Sequence, residues 1–168
     1  MKPDLNTIPE FYRGYIQSML DANYLDLLGN VYNDAITILI DISEEKANYA
    51  YAEGKWTIKD ILQHIIDSER IFTYRMVAIS RGEKQAILGY DHDDYVVCAK
   101  AKNRSFASLL KEYKNLHHST NDLIASFSTE MLQMTGNANG SNIKVIDLIY
   151  INGGHQKHHI KILKERYL

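Results

Sequence analysis

The sequence predicts an all-α protein: a four-helix bundle with an extra short N-terminal helix and a long loop between helices two and three. Three observations carry that prediction. Four long segments place apolar residues at three- and four-residue spacing, whereas no segment alternates with the period of two that a half-buried strand needs. Both prolines, Pro3 and Pro9, precede the first strong helical pattern, so nothing later in the chain forbids a long helix. A length of 168 residues, 45% hydrophobic and 24% charged, suits a single domain over residues 1–168.

Taken in order, Met1 to Thr7 reads as a lead-in and Ile8 to Met19 as the short helix. The first long helix runs from Asn23 to Ile42, with Leu27, Leu28, Val31, Ile36, Leu39 and Ile40 on its apolar side. Ser43 to Trp56 is polar and reads as a connection. Thr57 and Asp60 have the spacing of an N-terminal capping box, with Asp in the place of the usual Glu or Gln, and Trp56 can staple against Ile61. The second long helix therefore starts there and runs to Arg81, before Gly82. Its wheel puts Ile61, His64, Ser68, Ile71 and Arg75 on one face, with Asp67 about 60° to the side of His64.

Gly82 to Asn103 is a long connection, a kind that tends to be functional or partly structured. Its acidic group, Asp91, Asp93 and Asp94, lacks the glycine and distal glutamate of a calcium-binding loop and is read as surface, with Tyr90 and Tyr95 pinning the segment to the body. The third long helix spans Ser105 to Phe127, with His117 bordering its apolar stripe and His118 facing water. Ser128 to Asn142 reads as a loop ending in an N-cap at Ser141 or Asn142, followed by the fourth long helix from Ile143. Two glycines inside that helix, Gly153 and Gly154, each cost about 1 kcal/mol against alanine and imply close approach of a neighbouring helix or a ligand. With short connections the simplest arrangement is up-down-up-down, although the long third connection permits a crossover.

Within the fourth helix, His155 and His159 stand four residues apart on one face, and Leu148, Ile151 and Ile162 lie within about 40° of His155. Two imidazoles one turn apart can chelate one divalent ion, with a third ligand needed from elsewhere. The competing reading is a pair of hydrogen-bonded core histidines, and spacing alone leaves a His155/His158 pairing open. Lys157, Lys161, Lys164 and Arg166 suit the negative end of the helix dipole.

Composition narrows the functional classes. Cys98 is the single cysteine, so neither a disulfide framework nor a multi-cysteine zinc site is available, and any metal must be held by nitrogen and oxygen. A net charge of −2 offers no general attraction for nucleic acid, and Lys100, Lys102 and Arg104 read as a solvated loop. No apolar run approaches the roughly 18 residues of a membrane span and no secretory leader is recognisable, so a cytoplasmic location is the expectation. The twelve tyrosines either provide amphipathic surface for a homodimer or pack in and around the bundle.

The stretch from Trp56 through His64 and Asp67 to Glu69, the later Gly89-Tyr90-Asp91, and Gly153-Gly154-His155 with His159 together resemble the DinB-like superfamily of metal-binding four-helix bundles. The resemblance implies that His64, His155 and His159 hold a divalent metal, and it favours His159 over His158. Zinc and nickel both accept such ligands, and three histidines leave positions open for water or substrate. Asp67 is either a carboxylate that orients the His64 ring or part of a surface network with Arg70. Some relatives are transferases or isomerases that use a low-molecular-weight thiol. The resemblance thus implies a metal-dependent hydrolase or thiol-dependent transferase acting on a small molecule. The alternative is a non-catalytic metal-binding protein of stress response or interaction. Cys98, outside the histidine motifs, is not proposed as nucleophile.

Overall fold

The computed structural model describes all 168 residues. Helix α1 (Glu10–Gln17) precedes α2 (Tyr24–Leu39), where the Asn23 side chain caps the first turn. A single turn, α3 (Glu44–Ala47), leads to α4 (Ile58–Ser80). The capping box read from the sequence is present: the Thr57 hydroxyl accepts the Asp60 N–H at 3.1 Å, and the Asp60 carboxylate accepts the Thr57 N–H at 3.0 Å. Helix α5 (His92–Ala99) lies inside the expected loop. Asp91 caps it, accepting the N–H groups of Asp93 and Asp94 at 2.9 and 3.1 Å, so the acidic group begins a helix. Helix α6 (Phe106–Ala125) follows, capped by Ser105, then the short α7 (Thr129–Gln133).

Where the sequence reads as a loop before the last helix, the structure has a hairpin of β1 (Thr135–Ala138) and β2 (Ser141–Lys144). Four-residue polar strands are too short to show alternation. Their signal is the Asn139-Gly140 turn, in which both residues have positive φ, 53° and 77°. The hairpin also moves the start of α8 (Val145–Arg166) past the expected caps at Ser141 or Asn142. Asp147 instead accepts the Lys144 N–H at 2.9 Å.

The direction of the helices follows from their shared core. One apolar layer joins Leu27 at the start of α2, Met76 toward the end of α4, Ile124 at the end of α6 and Leu148 near the start of α8. A second joins Leu39, Ile61, Leu109 and Leu163 from the opposite ends of the same helices. So α2 and α8 run one way, and α4 and α6 the other. Helix α8 packs on α1, α2 and α4, while α6 packs on α2 and α4, which places α2 diagonally across from α4. The order is up-down-down-up, correcting the simpler up-down-up-down expectation. Two successive parallel helices require the chain to return the length of α4, 23 residues or about 34 Å, and residues 81–105 do so.

That returning segment is fastened at intervals. Ile87 exchanges hydrogen bonds with the hairpin, donating to Asn137 O and accepting from Asn139 N, both at 2.9 Å. Tyr90 shares a 2.8 Å hydrogen bond with Ser68 of α4, and the Tyr95 ring packs on Tyr90. The two α8 glycines have the reason expected of them. A Cβ on Gly154 would collide with the backbone carbonyl of Tyr15 in α1, and one on Gly153 with the Leu27 side chain. No helix is long and apolar enough to cross a membrane.

Candidate metal centre

Between the two apolar layers the bundle carries a polar belt. Gln156 sits at its middle, donating to Glu69 at 3.1 Å and to Asn152 at 3.3 Å while accepting from the Tyr113 hydroxyl at 3.0 Å. Glu69 is 0% exposed, and burial raises its carboxyl to about 7 against the hydrogen bond from Gln156 that lowers it. His117 is buried in the same region. It stacks on Tyr32 at a centroid distance of 3.9 Å and accepts a hydrogen bond from Asn121, a structural role, while His118 is exposed as expected.

At the edge of this belt α4 and α8 bring three histidines together. His64 Nε2 lies 2.9 Å from His155 Nε2, and His159 Nε2 lies 3.2 Å from that same atom. One ligand nitrogen from each ring falls within 4.8 Å of the others. His64 and His155 are buried, at 5% and 7% exposure, and His159 is half-buried. The antiparallel pairing of α4 with α8 creates the cluster by aligning the N-terminal half of one with the C-terminal half of the other. His158 projects to solvent instead, against Tyr15.

Burial, reinforced by the neighbouring rings, lowers His64 to about 4 and His159 to about 3, and holds His155 well below its ordinary range. All three are neutral imidazoles at neutral pH, the form in which histidine binds a metal. Hydrogen bonding satisfies such a trio poorly: the His155 Nε2 atom faces two ring nitrogens but can serve only as one donor or one acceptor, and His155 Nδ1 is buried with no partner. One cation would satisfy all three Nε2 lone pairs. Tetrahedral zinc with Zn–N of about 2.0–2.1 Å implies N···N edges of about 3.3 Å, close to the observed spacings. The donor set therefore fits a divalent ion.

Asp67 does not orient His64. Its carboxylate accepts from Gln63 at 2.9 Å and lies 3.9 Å from Arg70, whose guanidinium pairs with Glu112 at 2.6 Å. Arg104 closes the ring by donating to Gln63 at 2.8 Å and pairing with Glu112. Of the two readings of Asp67, the network with Arg70 is the one observed. Arg104, expected in a solvated loop, is a member of it. The reason is that Asp67 lies to the side of the His64 stripe, toward α6 instead of α8.

The histidines open on a cavity of about 330 Å³ between α1, α4, α8 and the returning segment. Tyr12 and Tyr15 of α1, Trp56, Phe72 and Tyr90 supply aromatic walls. Trp56 contacts the cluster directly, with ring centroids 4.9 Å from His64 and 6.3 Å from His159. His92 and His158 stand at the mouth, His92 with its ring 6.0 Å from that of His64. Of these residues, Trp56 and Tyr90 lie in the stretches that carry the family resemblance and His158 was the alternative partner of His155, whereas Tyr12 and Phe72 were not singled out as part of a site from sequence. For Arg75, which also lines the cavity, the signal was its place on the same wheel face as His64. Tyr15 and His92 carried no local signal, because α1 and the returning segment reach the site only through tertiary packing. Cys98 is exposed on α5 and does not line this cavity.

Comparison with known proteins agrees with this architecture. The model of the DinB superfamily matches residues 28–163. Among solved structures, YfiT from Bacillus subtilis superposes with a TM-score of 0.78 at 17% identity, covering 98% of this chain and 90% of its own. It is described as a probable metal-dependent hydrolase with an unusual four-helix bundle topology. No curated protein matches by sequence.

Proposed function

The chain belongs to the DinB superfamily, and on that premise we propose that it is a metal-dependent enzyme acting on a small molecule, as a hydrolase or a thiol-dependent transferase. His64, His155 and His159 hold the ion, with zinc or nickel the best match to three imidazoles. The observation that carries this reading is the convergence of three neutral imidazoles on one point at the wall of a 330 Å³ cavity. A closed structural site has no such space beside it, so the cavity favours catalysis over a non-catalytic metal-binding role.

When bound, a divalent ion would lower the pKa of a water or thiol and polarise an electrophile. The chain supplies the surroundings. Trp56 and Tyr15 exclude bulk water from the cluster, and His92 and His158 at the mouth are placed to accept a proton. A thiol route needs a thiol from solution, because Cys98 does not line the cavity. The description of YfiT as a probable metal-dependent hydrolase supports the water route.

Elemental analysis of protein purified without a metal-binding tag tests the reading, with wild type beside His155→Ala and His159→Ala. About one equivalent of metal, lost in both variants, is expected. Assays of activated esters and amides with and without added thiols then separate hydrolase from transferase. Wild-type protein that is metal-free and refuses added Zn²⁺ and Ni²⁺ would overturn the proposal.

A further inference from the structure

Arg75 is 2% exposed and lies on the wall of the histidine cavity, yet nothing in the protein neutralises it. No carboxylate comes within 4.0 Å of its guanidinium, its one hydrogen bond runs from Nη2 to Leu88 O at 3.2 Å, and its Nε is buried without a partner. The Phe72 ring, 6.0 Å from the guanidinium, offsets the charge only in part. A buried, unpaired arginine costs several kcal/mol, a cost that an anionic partner arriving from outside would offset. Every other charged side chain is also missing from the cavity: of thirteen lining residues none is acidic, and Arg75 is the single permanent cation.

We propose that the cavity binds an organic carboxylate, with its acid group on Arg75 and its apolar body between the aromatic walls. The proposal rests on the metal-site reading for which end of the molecule reacts. The Phe72 ring stands between the two sites, its centroid 6.0 Å from the Arg75 guanidinium and 5.8 Å from the His155 ring, so a single ring separates the guanidinium from the histidine cluster. The ligand is therefore short, its carboxylate on Arg75 and its reacting group at the histidine end. A carboxylate suits the site better than a phosphate, because one guanidinium with one edge already tied to Leu88 O matches a single negative charge. Apolar flanks from Phe72 and Tyr12 would desolvate the pair and strengthen it.

The experiment is an NMR titration of the wild-type protein, metal-free and Zn²⁺-loaded, with 4-phenylbutyrate and with its uncharged amide. The acid is expected to bind at least about tenfold more tightly than the amide and to shift the Arg75 Nε–H resonance in both metal states. Arg75→Gln should abolish the preference, and Arg75→Lys should retain part of it. A purely structural arginine would change stability on substitution without distinguishing acid from amide. Equal binding of the two compounds, no binding of the acid at millimolar concentration, or an unchanged preference in Arg75→Gln overturns the proposal. Metal content measured on the same samples keeps the two ideas apart. An Arg75-dependent preference in a protein that takes up no metal removes the metal reading and leaves this one standing, and a metal-loaded protein with no preference does the reverse.

Discussion

The Nε2 atoms of His64 and His155 lie 2.9 Å apart across 91 positions of sequence. Neither ring is charged there, and that has a consequence for the metal-free protein. In the unfolded chain both His64 and His159 titrate near 6.5, whereas the folded protein lowers them to about 4 and about 3, chiefly by burial. Between those values the unfolded state binds more protons than the native state, so the contribution of these two rings to stability is full above about pH 6.5 and is lost as pH falls. Chelated wild type should lose on the order of a few kcal/mol between about pH 7 and pH 4. Urea unfolding of a His64→Asn/His159→Asn double variant should show a shallower dependence, and parallel curves would mean that the rings titrate alike in the folded and unfolded states.

Glu69 runs the opposite way. Burial raises its carboxyl from 4.5 to about 7, so the native state holds a proton that the unfolded state releases, and stability falls as pH rises through that window. Glu69→Gln keeps an acceptor for Gln156 and carries no charge. It should be more stable than wild type at about pH 8 by on the order of 1–3 kcal/mol, with the gap closing toward pH 4. Denaturation of the two proteins across that range decides it; a constant gap refutes the assignment.

Gly154 faces backbone, and Gly153 faces a side chain. The Tyr15 carbonyl cannot rotate away as the Leu27 side chain can, so Gly154→Ala must displace α1. We expect Gly154→Ala to cost roughly 2–4 kcal/mol despite the gain in helix propensity, and Gly153→Ala to cost less. Chemical denaturation measures both, and a Gly154→Ala protein as stable as wild type would show that α1 does not rest on α8 there.

Asp67 belongs to the ring with Gln63, Arg70, Arg104 and Glu112. Removing a carboxylate that orients a metal ligand typically costs 10–100-fold in affinity. Asp67→Asn should instead leave zinc affinity within about threefold of wild type and cost less than about 1 kcal/mol of stability, as for a half-exposed ion pair. Competition with a chromophoric chelator reads the affinity, and a tenfold loss would return Asp67 to the site.

Short-range pattern determined a good deal of this protein. The Thr57/Asp60 box, the apolar stripes of the four long helices, and the placement of His155 and His159 on one face all depend on residues within a few positions of each other, where the helical repeat leaves little choice. Gly153 and Gly154 even announced that something would come close, without saying that it would be Tyr15 and Leu27. Tertiary structure decided the rest. Helical periodicity carries no information about which way the next helix runs, so the up-down-down-up order, and the long segment it forces back along α4, emerge only when whole apolar faces are buried together. That order sets His64 against His155, brings Tyr15 and His92 to the same cavity, turns Asp67 toward Arg104, and leaves Arg75 buried without a counter-charge. Each is a contact between residues far apart in sequence, made favourable by the burial of side chains that the local pattern could identify but could not pair.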